Sequence, residues 1–210
     1  MHDIPFFQTE NGIASLILKE IVYKKIAYIR IQNALHPDAL LQECIDFCRA
    51  VGAEQIFATG NNHLTKYPLY TSIVDMACNK NEIPIVNLNL VPADKDNYEQ
   101  WRRIYNERMY SVPNAATITL QDADKQIPGS FFVYEKETLL GIGKVADNRI
   151  DAIVSVMKGA GGNVLAALAG VIEGERVLVE VATTNEPAMR LYSSMGFMIT
   201  SKISDWYRVL

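Results

Sequence analysis

The stretch from Ile150 to Ala182 limits what this chain can fold into more than any other. Ile150 to Met157 has the β-branched, apolar composition of a strand, and Lys158-Gly159-Ala160-Gly161-Gly162-Asn163 interrupts it. Val164 to Ile172 follows as an apolar run, and Val177 to Ala182 is again strand-like. This is a β-loop-α-β unit with glycines at the turn into the helix. Its two strands are expected to run parallel and to be joined by a right-handed crossover, which sets an α/β (α+β) architecture.

A glycine turn entering a helix presents backbone N–H groups that no helical carbonyl reaches, together with the positive end of the helix dipole. The combination suits a pyrophosphate. The same turn also serves simply to reverse a chain, so alone it leaves both readings open. No Lys-Ser/Thr follows the glycines, so this is not a P-loop, and the full dinucleotide-binding spacing is missing.

Upstream, Ser130 to Glu135 and Leu139 to Val145 read as a hairpin about Lys136-Glu137-Thr138. Ile85 to Val91 alternates as a strand, and Asp96-Asn97-Tyr98-Glu99 has capping-box form ahead of a helix. In that helix Tyr98, Trp101, Tyr105 and Met109 fall on one face, suited to core packing or to lining a substrate. The first half has strands at Ile13 to Lys19 and Ile26 to Ile31, read as a hairpin, then a helix from Pro37 to Ala50 and a strand at Ile56 to Thr59. A further helix is expected near Tyr70 to Asn79. Asn79-Lys80-Asn81 reads as a linker, giving residues 1–82 as a small α/β domain and 83–210 as a second domain.

With 49% hydrophobic and 21% charged residues, a chain of 210 residues belongs among globular rather than disordered proteins. A formal charge of -4 supplies no global basic field, so nucleic acid is not an expected partner. Met1 to Pro5 has no basic segment leading into an apolar run, and the longest apolar stretch, near Val164, is too short to span a bilayer. No membrane partner and a cytoplasmic location are therefore expected. Cys44, Cys48 and Cys78 are odd in number and lack metal-ligand spacing, so neither disulfides nor a metal site is expected. Cys44 and Cys48, one turn apart in an apolar pattern, read as core. His36 and His63 stand alone and read as loop or capping residues.

Downstream of the glycines, Val179-Glu180-Val181 leads to Asn185, Ala188, Leu191-Tyr192 and Gly196-Phe197. This resembles the GNAT superfamily of N-acetyltransferases, whose strand-Asn-x-x-Ala-helix-Leu-Tyr-x-x-x-Gly-Phe signature is met at each of those positions. With the elements upstream, the resemblance covers about residues 83 to 210. It implies a GNAT-type mixed sheet flanked by helices, whose two central parallel strands splay apart to admit the pantetheine of acetyl-CoA. Backbone groups of Val154, Val156 and Met157 would then hold the pantetheine, and Lys158 with the amides of Gly159, Gly161, Gly162 and Asn163 the pyrophosphate. Lys158 stands where Arg or Gln is usual, Asn163 replaces the last glycine, and residues usual between strand and loop are missing.

Tyr192 matches the family's proton donor to the departing CoA thiolate, a role open to a phenol of pKa about 10; a tyrosine on the buried face of a helix is the plain alternative. Glu180 shares a strand face with Leu178 and Ala182, where desolvation would raise its pKa. Ribosomal-protein N-terminal acetyltransferases have a proposed base at a similar place, while a solvated or ion-paired glutamate is the alternative. Asn185 before Glu186-Pro187 reads as a helix N-cap, and the resemblance adds contact with cofactor or acceptor. The resemblance thus implies transfer of an acetyl group from acetyl-CoA to a primary amine by direct attack in a ternary complex, without a metal. The second reading is a catalytically weak acyl-CoA-binding regulatory or interaction module. The first half has the element order of a degenerate GNAT-like half without a glycine loop, since Asn33-Ala34-Leu35-His36 stands there. Three roles stand open to it: docking on the second half, shaping an acceptor cleft, or forming a homodimer.

Overall fold

The computed structural model describes residues 6–210. Met1 to Pro5, on which the expectation of no leader segment rests, lie outside the described residues. β1 (Phe6–Thr9) and β2 (Gly12–Ile17) pair antiparallel, and β2 pairs antiparallel with β3 (Ile26–Ala34). A short helix, α1 (Lys19–Lys24), fills the connection where a simple hairpin was expected; it ends at Lys25, whose φ of 60° is left-handed. α2 (Pro37–Ala50) begins with proline in its first turn, where no N–H donor is required. It buries Leu40, Leu41, Cys44, Ile45 and Cys48, then crosses to β4 (Gln55–Thr59), which runs parallel to β3. Loss of solvent pushes the Cys44 thiol up to about 12 and Cys48 up to about 11, so both are inert packing groups.

β5 (Leu69–Asn79) occupies the segment expected to be helical. Met76, Ala77 and Cys78 are buried in succession, so both faces of the strand are covered. Such a run has no clean period of two and cannot be told from a buried helix by pattern. β6 (Asn89–Pro92) is shorter than the strand expected from Ile85. α3 (Tyr98–Met109) forms as expected but without the capping box. Asp94 accepts from the amides of Asp96 (2.9 Å) and Asn97 (3.0 Å), and Arg102 takes the Glu99 carboxylate at 2.7 Å before it can reach back.

A single turn, α4 (Ala123–Gln126), leads into the expected hairpin of β7 (Ser130–Glu135) and β8 (Thr138–Ala146). β9 (Arg149–Ser155), α5 (Gly161–Gly170) and β10 (Arg176–Ala182) form the β-loop-α-β unit with parallel strands. α6 (Glu186–Ser194) and β11 (Met198–Arg208) complete the chain. Side chains from Met198 to Ile203 are all exposed, so neither alternation nor an apolar run marks β11 in the sequence.

The chain divides into one unit of residues up to Ile73 with Ile203–Leu210, and another of Val74–Lys202; β5 and β11 each pass from one to the other. The first packs Leu16, Ile29, Leu40, Ile56 and Leu64 into one core. In the second, α5 and Val177, Val179 and Val181 form a core on one face of the sheet. α3 covers the other face, its Tyr98 and Trp101 packing with Phe132, Ile142 and Val154 of the strands. Among the described residues no helix is long and apolar enough to cross a membrane.

Two irregularities open the sheet within the second unit. β8 pairs Val145 with Ile150 but Lys144 with Ala152, so Asp151 is an extra residue on β9. A bulge of this kind bends and twists its strand. β9 and β10 are in register only at Arg149 with Leu178 and Ile150 with Val179, and beyond that point they part. The result is the mixed, splayed sheet flanked by helices.

Candidate active site

The end of β9 past its last pairing with β10, the glycine turn and α6 line a cleft of about 640 Å³. Of the residues singled out in the sequence, Val154, Val156, Met157, Lys158, Gly159, Gly161, Gly162, Asn185 and Tyr192 line it. Asn163 and Glu180 do not. Asn163 is exposed on the first turn of α5. Glu180, the first residue of β10 past its last pairing with β9, is exposed as well, so the burial expected from its apolar neighbours is absent.

The glycine turn is built for an open backbone. Gly159 has φ +83°, and an added Cβ would meet nothing within 4 Å. The first helical bond of α5 is donated by Val164 to Ala160 at 2.9 Å, so the amides of Gly161, Gly162 and Asn163 precede the ladder. Gly161 also fixes the loop against α6, because a Cβ there would lie 3.3 Å from Leu191 Cδ2.

The end of β9 departs from expectation in one respect. The N–H groups of Val156 and Met157 both donate to Leu140 O, at 2.9 and 3.2 Å, so neither amide is available to a pantetheine. The bond from Val156 points the even-numbered residues after the bulge toward β8. Alternation then turns the backbone groups of Ile153 and Ser155 toward the side left by β10. Those two residues also line the cleft, and no residue-type signal marks them, because their role follows from register.

Tyr192 comes from α6, whose start is set by sequence: Asn185 Oδ1 accepts from Ala188 N at 3.4 Å, and Pro187 lies in the first turn. The tyrosine is 8% exposed, and burial pushes its phenol up to about 12. Its ring packs on Phe197, with centroids 5.7 Å apart. Gly196, at φ +87°, lets the chain turn there; a Cβ would lie 3.2 Å from Cys78 Sγ, a buried thiol that donates to Met195 O at 3.4 Å.

α3 and the residues just after it contribute a wall; of the helix face singled out in the sequence only Met109 reaches it, and Arg108 is not one of that face's residues. Arg108, Met109 and Val112 line the cleft, while Tyr98 and Trp101 from the same helix are core. Arg108 Nη2 lies 3.5 Å from Val156 O. Among the described residues no group of His, Cys, Asp and Glu is placed to hold a metal ion.

No protein-family model matches the chain, and no curated protein is similar to it in sequence. Solved structures share its fold. A functionally unknown conserved protein from Staphylococcus epidermidis has a TM-score of 0.63 at 8% identity, over 98% of this chain and 93% of that one. A GCN5-related N-acetyltransferase from Anabaena variabilis has a TM-score of 0.62 at 14% identity, over 88% of this chain and 55% of that one. An acetyltransferase of the GNAT family from Colwellia psychrerythraea has a TM-score of 0.51 at 13% identity, over 97% of this chain and 84% of that one. At these identities the likeness is one of fold, and the chain has the fold of these acetyltransferases.

Proposed function

We propose that the protein is an N-acyltransferase that moves an acetyl group from acetyl-CoA to a primary amine of a small molecule, peptide or protein. The observation that carries this reading is that one cleft has the end of β9, the glycine-turn residues and Tyr192 in its walls. In this reading the amides of Gly161, Gly162 and Asn163 hold the diphosphate, and the backbone of Ile153 and Ser155 lies along the pantetheine. The amine attacks the thioester carbonyl directly, the C–N bond forms as the C–S bond breaks, Tyr192 donates its proton to the departing sulfur, and the proton released from nitrogen passes through water to restore the phenol. The chain works without a metal and in the cytoplasm.

An amine attacks only when neutral. Deprotonating a lysine-type amine at pH 7 costs roughly 4 to 5 kcal/mol, against about 1 kcal/mol for an α-amine of pKa near 7.8. With Glu180 exposed and outside the cleft, the weaker base is the better acceptor. A second reading, an acyl-CoA-binding module without turnover, is favoured by that same exposure of Glu180.

Thermal melting combined with thiol release separates the two. Acetyl-CoA at 100 times its Kd adds about 2.7 kcal/mol, which raises the melting temperature of a chain this size by several degrees. Free thiol appearing with an α-amine acceptor supports the enzyme; a shift with no thiol across an amine panel supports the module. Absence of a shift overturns both.

A further inference from the structure

Resting on the acyl-CoA reading above, we infer that Arg108 is a second phosphate-binding residue of the cleft, reaching the coenzyme from α3 while Lys158 and the loop amides hold it from the end of β9. The first argument is charge. The chain is formally -4 and the phosphates of coenzyme A are anionic, so the whole-molecule field opposes their meeting and the attraction must be local. The cleft supplies it: its walls include two cations, Arg108 and Lys158, and no carboxylate.

The second argument is position. Arg108 belongs to the last turn of α3, a helix anchored by Trp101, which is fully buried and donates from Nε1 to Phe131 O at 3.2 Å. The guanidinium is therefore carried on a fixed element, and its Nη2 reaches Val156 O, two residues before Lys158, where β9 turns into the glycine loop. The third is availability. A separation of 3.5 Å is at the outer limit of an N–H···O bond, so the carbonyl holds the group weakly. Arg102, Arg149 and Arg190 are paired with Glu99, Asp75 and Glu186, whereas among the described residues no carboxylate pairs with Arg108. A guanidinium has five donors in a planar fork suited to phosphate oxygens, and one long bond to a neutral carbonyl leaves that fork open.

Calorimetric titration of the full chain tests this with coenzyme A and with pantetheine, which lacks every phosphate. Arg108→Gln is expected to weaken coenzyme A binding about tenfold, with Arg108→Lys recovering part of the loss and pantetheine binding unchanged within about twofold. Arg108 is exposed, so melting temperatures of the variants should equal the parent's. Dephospho-coenzyme A, losing as much affinity on Arg108→Gln as coenzyme A does, assigns the contact to the diphosphate; a smaller loss assigns it to the ribose phosphate. Equal coenzyme A affinities for parent and Arg108→Gln overturn the inference, as does an equal weakening of pantetheine, which would place Arg108 against the pantetheine arm. If the parent itself binds no coenzyme A, the acyl-CoA reading falls and takes this inference with it.

Discussion

Tyr192→Phe is expected to lower kcat about 100-fold while acetyl-CoA binds within about twofold of the parent affinity. Phenylalanine keeps the ring that packs on Phe197, so the substitution removes one hydroxyl and little else. General-acid groups contribute about 10²- to 10⁴-fold, and the lower figure applies because a thiolate is a good leaving group without full proton transfer. Burial holds the phenol near 12, so the donor stays protonated through the working range. Turnover should therefore rise as the amine deprotonates and show no loss attributable to Tyr192 below about pH 10. The same raised value has a stability consequence: its contribution is complete below the unfolded pKa of about 10 and is lost as pH rises through about 12. Thiol-release kinetics with calorimetric binding check the pair of effects, and equal turnover for variant and parent removes the general-acid role.

Trp101→Ala carries the largest expected loss of stability. The indole is fully buried, stacks 5.5 Å from Tyr105, and supplies the N–H that satisfies Phe131 O. Truncating a buried aromatic of this size costs about 3 to 5 kcal/mol, and the carbonyl left without its donor adds to that. A melting temperature lower by about 10 °C follows for a chain of this length. Because Arg108 and Met109 both sit about two turns further along the same helix, the cleft wall loosens with the core. A melting temperature within about 2 °C of the parent's would contradict the placement of Trp101 in the packing of α3.

What could be read in the sequence was what local chemistry dictates. The glycine turn, the Asn185 cap with Pro187, and the Gly196-Phe197 corner each depend on a few adjacent residues, and each stands where the motif puts it. β5 was illegible because burial on both faces erases the period of two, and β11 because its first six side chains are all exposed. The bulge at Asp151 is a matter of register with β8, which no residue type announces. The redirected backbone of Ile153 and Ser155 was hidden with it. Arg108 escaped notice for a different reason, since its neighbour in space, Val156, is far from it in the chain.

The central claim is that the backbone at the start of α5 takes the diphosphate, and amide chemical shifts during titration with coenzyme A test it residue by residue. The account predicts that Gly159, Gly161, Gly162 and Asn163 show the largest saturable shifts, with slowed amide exchange at Gly161 to Asn163 and no comparable response to pantetheine. Saturation by coenzyme A with those four amides unmoved, the shifts falling on another surface, would contradict it.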